Sequence, residues 1–283
     1  MNQSDFNNTL MDTEFEHYLK IQIVSRWLIV TIGFVLTPVA IFAVSSLVKK
    51  DNVAPIYVIN LLVSDLVQLC ATIILETKYG TIGSFMFDFA LVASVGFMVC
   101  IAMERYLLIV WPLWYRTRRT VKMYLLLCAV VWTLALSNLI LRVFTLNVNF
   151  DLYLKISGIF LLLPLPLLMF FLVGTLRTLS ASISVRAEEK RRIVGLLVLV
   201  LLIYTLLFLP YIICCLVKPQ NYKVYFFAFF FSELNPVADL FLYIFLRKGA
   251  VNKVRFCLCC CRKNRTSRQS CSGLNDGDTV TSL

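Results

Sequence analysis

Four stretches of this chain run for 19 to 25 residues without one charged side chain: Trp27–Val48, Met123–Leu141, Ile156–Leu176 and Ile193–Val217. A fifth, Phe89–Met103, is 15 residues long and sits in an apolar pattern reaching from about Thr81 to Val110. A hydrocarbon core about 30 Å thick takes about 20 apolar residues per helix. Two further stretches of that length carry acids: Asn52–Leu75 holds Asp65, and Val224–Leu246 holds Glu233 and Asp239. Seven spans follow. In lipid each backbone N–H and C=O must be satisfied inside the protein, which leaves helices or closed barrels. Barrel strands alternate over about 10 residues, and a run such as LLVLVLLIYTLLFLPYII (residues 196–213) does not alternate. The expected fold is an all-α membrane protein, a seven-helix bundle.

Composition closes off other classes. The chain is 60% hydrophobic and 15% charged, with a mean hydropathy of +0.83, against about 45–50% and about 25% in soluble domains. A soluble enzyme, a disordered chain and a coiled coil are excluded. The net charge of +11 could signal nucleic acid, but its placement argues otherwise. Seven basic residues (Lys20, Arg26, Lys78, Arg142, Lys155, Lys218, Lys223) fall on one side of the spans and the other 20 of the 27 on the opposite side. The positive-inside rule then puts the N-terminus outside and the C-terminus in the cytosol. No nucleic-acid partner is needed. The chain opens without a charged region, apolar core and cleavage site, so no cleavable signal peptide is expected. Residues 1–25 form an outer segment, 26–246 the bundle, 247–261 a membrane-surface segment and 262–283 a disordered cytosolic tail.

Several residues are out of place in lipid. Asp65 lies mid-span. Asn235, Asp239 and Tyr243, four apart, share one helix face. Phe87, Ser94, Met98, Ile101 and Arg105 make a stripe on the third span. No Lys or Arg occupies a mid-membrane position, so two carboxylates in a dry bundle take a cation or share a proton. Hydrogen bonding between helices is the structural alternative.

Five segments in order resemble the rhodopsin-like (class A) G-protein-coupled receptors: Asn60–Asp65 (NLLVSD), Glu104-Arg105-Tyr106, Trp132, Phe208–Tyr211 (FLPY) and Asn235–Tyr243 (NPVADLFLY). The resemblance implies a ligand-activated receptor for a heterotrimeric G protein, at the plasma membrane, and not an enzyme. Asp65, Ser94, Asn235 and Asp239 would form its sodium pocket, with the metal at Asp65. Glu104, Arg105, Tyr106, Leu113 and Tyr243 would serve G-protein coupling: Glu104 pairs with Arg105 at rest, and Leu113 inserts into the G protein. Lys190 stands where some members place an acid against this arginine, which implies ligand-free signalling. Tyr204 and Phe208, with Pro210 kinking the sixth helix, would form the activation hinge. Phe87, Asp88 and Glu233, with Met86 and Phe229, are candidates for the ligand cup, and Glu233 is its expected polar anchor.

There are departures. Pro236 is displaced by a turn and Leu240 follows Asp239. Phe208 replaces a tryptophan. The extracellular disulfide is absent: Gly80 stands at its third-helix position, and Arg142–Lys155 contains no Cys. An odorant-type receptor of the same fold is the alternative; a small-solute transporter is the more distant one, lacking the repeats expected. A retinal opsin needs a lysine in the seventh span, which has none.

Peripheral signals complete the expectations. Asn2-Gln3-Ser4 and Asn7-Asn8-Thr9 are glycosylation sequons on the outer side. Arg247–Leu258 reads as a short amphipathic eighth helix on the membrane. Cys257, Cys259, Cys260 and Cys261 suit palmitoylation beside it. Thr281-Ser282-Leu283 resembles a PDZ-binding terminus, with Thr281 and Leu283 as its determinants. The tail's serines and threonines suit receptor kinases and arrestin. His17 is the lone histidine.

Overall fold

A peptide group in hydrocarbon must bond within its own segment, and the computed structural model of this chain is helical throughout its regular structure. It describes residues 3–48, 55–113, 115, 120–181, 187–219 and 221–244. The helices are α1 (Gln3–Val48), α2 (Pro55–Leu75), α3 (Gly80–Val110), α4 (Val121–Val148), α5 (Phe150–Leu162), α6 (Pro164–Ala181), α7 (Ala187–Val217), α8 (Tyr222–Glu233) and α9 (235–244). Seven spans are long and apolar enough to cross a membrane; α5 with α6 makes the fifth, and α8 with α9 the seventh. Among the described residues there is no strand. Contacts divide the chain into a unit ending at Tyr243 and a second from Ile244 to Leu283, of which only Ile244 is described.

α1 starts well before the apolar stretch, because nothing in Gln3–Ser25 breaks it: there is no Gly or Pro. α3 is the best-buried span. It packs on α2, α4, α6 and α7, and its 31 residues reach about 46 Å at about 1.5 Å per residue, which a membrane accommodates by tilt. Its entry is tight. A Cβ on Gly83 would lie 2.6 Å from the backbone nitrogen of Leu75, so only glycine lets α3 turn this closely off α2. Trp132 on α4 donates to Asn60 Oδ1 at 3.1 Å and lies between Phe89 and Phe97, fixing α2, α3 and α4 together.

The prolines act unequally. α1 runs through Pro38 and α7 through Pro210 without a break in the helix. The breaks fall instead at Leu163, ahead of Pro164 and Pro166, and at Leu234, ahead of Pro236. Pro236 has no N–H for the Ser232 carbonyl four residues back. Gln68 Nε2 donates to that carbonyl at 3.3 Å. At the other break the Tyr204 hydroxyl donates to the Leu161 carbonyl. Each broken span is thus closed by a polar side chain from a neighbouring helix.

Candidate functional site

Three polar clusters lie along the bundle, and most of the expected residues fall in one of them. The middle cluster joins α2, α3 and the seventh span. Asp65, Gln68, Ser94, Asn235 and Asp239 are all fully buried. Asn235 Nδ2 donates to Ser94 Oγ at 2.9 Å and to Gln68 Oε1 at 3.2 Å, and Ser94 Oγ donates to Asp239 Oδ2 at 3.0 Å. The Asp65 carboxyl faces Asp239 and Ser94. Both Asp65 oxygens, Asp239 Oδ1 and Asn235 Oδ1 are buried without a hydrogen-bond partner. Four orphaned oxygens, two carboxylates among them, form a donor set suited to a hard cation. No group of three or more His, Cys, Asp or Glu at metal-binding spacing occurs among the described residues, so amide and hydroxyl oxygens would have to complete the shell.

The outer cluster turns the expected ligand anchors inward. Glu233 is 2% exposed. It accepts from Arg26 Nε at 2.6 Å, while Arg26 Nη1 bonds Glu76. The Arg26 guanidinium lies 5.6 Å from the Phe229 ring, which packs against Phe87 at 5.5 Å and Tyr211 at 6.3 Å. Asp88 pairs with Arg142 of α4 and accepts from the Tyr153 hydroxyl of α5 at 2.8 Å. Arg142 also donates to the Ser84 carbonyl at 2.7 Å and lies over the rings of Phe85 and Tyr153. Both acids expected in the cup are therefore held by arginines of the protein itself. Glu233 Oε2 and Arg142 Nε are left buried without partners.

At the inner end, Glu104 is 3% exposed and does not pair with Arg105. The Tyr115 hydroxyl donates to Glu104 Oε1 at 2.7 Å. The Tyr124 hydroxyl stands 3.2 Å from the same oxygen and 2.5 Å from that of Tyr115. Burial, with Glu104 beside it, holds the Tyr115 hydroxyl above the ordinary tyrosine range, so it remains a donor. The expected resting pair of Glu104 with Arg105 is thus replaced. Two phenols satisfy the carboxylate, and Arg105 has no ion-pair partner among the described residues, its Nε being buried and unbonded. Tyr106 turns towards α6, between Phe170 and Phe171, on a surface that Gly174 leaves flat. Leu113 is 83% exposed. The Tyr243 hydroxyl is buried without a partner. Tyr204 and Phe208 are buried, their rings 5.1 Å apart and tilted by 45°, six and two residues before Pro210.

Sequence reasoning missed Gln68, Arg26, Arg142, Tyr115 and Tyr124 as site residues. Gln68 was findable, three residues past Asp65 on the same face. Arg26 and Arg142 read as span-edge charges, since a long side chain at a helix end ordinarily reaches for water. Nothing in the sequence distinguishes Tyr115 from other loop aromatics. Asn2, the cysteines at 257, 259, 260 and 261, Thr281 and Leu283 lie outside the described residues, as does the segment of the expected eighth helix. Asn7 falls within α1.

The family model described as "7 transmembrane receptor (rhodopsin family)" matches residues 38–246. G-protein coupled receptor 68 of Bos taurus is 24% identical over 284 residues, covering 85% of this chain and 78% of that protein. Lysophosphatidic acid receptor 4 of Homo sapiens is 27% identical over 241 residues, covering 72% and 64%. Mas-related G-protein coupled receptor member B5 of Mus musculus is 30% identical over 93 residues, covering 30% and 29%.

Proposed function

Since the chain belongs to the rhodopsin family of seven-transmembrane receptors, a multi-pass membrane protein of a receptor and not an enzyme class, we propose that it senses an extracellular ligand at the plasma membrane. It passes that event to a heterotrimeric G protein. The observation that carries this reading is Arg105, at the inner end of the central helix and unpaired by any acid among the described residues. It is available to a partner in the cytosol. The N-terminus lies outside, with Asn2 and Asn7 glycosylated, and the C-terminus inside, as the basic residues are distributed.

In the resting state the middle cluster holds sodium between Asp65 and Asp239, with oxygens of Ser94 and Asn235 completing the shell. The four orphaned oxygens support this. A proton shared by the two carboxyls is the second reading, favoured by their facing one another with no basic side chain at that depth. The ligand enters the aromatic cup of Phe87, Tyr211 and Phe229 and carries a polar group that displaces Glu233 from Arg26 or Asp88 from Arg142. Tyr204 and Phe208 couple that displacement to α7, and outward movement of α7 opens the inner face. The ligand acts only through its better affinity for the open state. Palmitate on Cys257, Cys259, Cys260 and Cys261, phosphorylation of the tail, arrestin, and a PDZ domain at Thr281–Leu283 are the expected later partners.

With Arg105 unclamped, cells displaying the chain should give ligand-free G-protein activation above mock cells. Arg105→Ala at equal surface level should abolish it. Basal output equal to mock across a panel of G-protein sensors would reject the unclamped state. Solute uptake without any G-protein response would move the chain to the transporter reading.

A further inference from the structure

Arg26, on the outer part of α1, fills a place built for a cation. Its Nε donates to Glu233 Oε1 at 2.6 Å, its Nη1 bonds Glu76, and its guanidinium lies 5.6 Å from the centre of the Phe229 ring. These are the contacts that a bound organic cation makes: charge-assisted bonds to carboxylate and a cation–π contact. The place is not saturated. Two acids share one arginine, and Glu233 Oε2 is buried without a partner. A second cation would cancel the surplus negative charge, and an anion would add to it. The side chains of Arg26 and Glu76 are partly exposed and open the site to the outer surface, whereas Glu233 is buried at its floor. From Phe229 an aromatic wall continues through Phe87 and Tyr211. Glu233 is also the last residue of α8, directly ahead of the break at Leu234 and two residues before Asn235 of the middle cluster. Whatever holds its carboxylate therefore bears on the joint of the seventh span.

We propose that Glu233, Glu76 and Phe229 form a recognition site for an organic cation, an ammonium or guanidinium group on an aromatic or apolar body, and that Arg26 occupies this site when the ligand is absent. The ligand's N–H groups bond Glu233, its body lies on Phe87, Phe229 and Tyr211, and Arg26 is left to Glu76. The pair of Asp88 and Arg142, one acid to one arginine with the Tyr153 hydroxyl added, is balanced as it stands and takes no part. This names the ligand class of the receptor proposed above, and any signalling by that ligand rests on that reading; the cation site itself does not.

Chemical rescue on the purified full chain in nanodiscs tests it, read as melting temperature at fixed ionic strength. Arg26→Ala vacates the site and should melt below wild type. Ethylguanidinium, the part of the side chain removed, should restore much of that loss at about 10 mM by binding the folded chain. Ethylurea, its neutral analogue, and propionate should not. Adding Glu233→Gln should weaken the rescue by about tenfold or more, the factor expected for a hydrogen bond to a charged group. Phenethylguanidinium should stabilise wild type at a lower concentration than ethylguanidinium does, and Phe87→Ala should remove that advantage. Rescue by propionate or ethylurea equal to that by ethylguanidinium overturns the site. So does a rescue unchanged by Glu233→Gln, or no effect of either guanidinium on either chain. If Arg26→Ala does not fold, phenethylguanidinium on wild type against Glu233→Gln decides: stabilisation of wild type alone is expected, and an equal or absent response overturns the site. Stabilisation by guanidinium with no G-protein output on any sensor keeps the cation site and removes the receptor reading. Ligand-free output that Arg105→Ala abolishes, with no guanidinium effect on the melt, does the reverse.

Discussion

The outer third of the bundle and its middle both bury acids, but they treat them oppositely. Outside, the acids have arginines: buried Glu233 shares Arg26 with the more exposed Glu76, and half-buried Asp88 holds Arg142. In the middle, Asp65 and Asp239 face one another with hydroxyl and amide neighbours and, among the described residues, no cationic side chain. A buried ion pair is indifferent as a source of stability when intact, yet costly when one partner is removed. An unpaired buried carboxylate is costly as it stands and is relieved by anything that supplies positive charge. The outer pairs therefore behave as fasteners, and the middle as a site whose energy changes with what fills it. The Arg142 pair lies more than two turns along α3 from Gly80, the position where the resemblance expects a disulfide. Asp88 on α3, Arg142 on α4 and Tyr153 on α5 join the same end of the bundle without sulfur.

The contrast breaks most visibly at Arg142. Arg142→Ala leaves the half-buried Asp88 with the Tyr153 hydroxyl and no cation, at a cost of at most about 3–5 kcal/mol, and should remove most of the chain from the cell surface. The double change with Asp88→Asn should recover much of it, because the orphaned charge goes too. A flow-cytometry comparison of surface epitope decides this: a double variant no better than Arg142→Ala would mean that packing on Phe85 and Tyr153, not charge, is what Arg142 supplies. In the middle the sign reverses. Asp65→Asn removes one of two unpaired carboxylates and should leave the melting temperature in detergent unchanged or raise it, by about 1–3 kcal/mol in stability terms. The same variant should lose any stabilisation of wild type by sodium over potassium at equal ionic strength. A sodium-dependent melt that persists in Asp65→Asn would move the cation elsewhere.

What could be read from the sequence follows the physics of each cluster. Four of the seven spans were legible because an uncharged run of about 20 residues has few alternatives, and the other three because few charges interrupt their apolar pattern. Asp65, Ser94, Asn235 and Asp239 were legible because a polar atom at mid-membrane depth is conspicuous. The outer fasteners were not, because Arg26 and Arg142 stand at span edges, where charges are expected and usually face water. Only the fold shows them bending back over Phe229 and Tyr153. The inner cluster around Glu104 was hidden for another reason. The resemblance supplied a partner for Glu104 next door in sequence, whereas the hydrogen bonds come from residues 11 and 20 positions along the chain. The breaks at Leu163 and Leu234 are likewise closed by neighbours. Gln68 and Tyr204 satisfy carbonyls at the broken turns, and local sequence carries no record of that.

The smallest effect is the most direct test of how the outer end is held. A bundle whose outer loops contain no cysteine has no covalent link there to reduce. Dithiothreitol should leave the melting temperature of the purified chain unmoved, where a domain held by a native disulfide would lose about 2–5 kcal/mol. The five cysteines of the described residues, Cys70, Cys100, Cys128, Cys214 and Cys215, are free thiols within the spans, so none offers a substitute. A marked drop on reduction would mean a bridge formed between chains or through the cysteines of the tail, and the assignment of the outer fastening to Arg142 and Asp88 would lose its ground. An unmoved melt, with loss of surface display in Arg142→Ala, would separate the two ways of tying the outer end of α3: one made of sulfur and sensitive to redox conditions, the other made of half-buried charge and hydrogen bonds that salt screens less than it would on the surface.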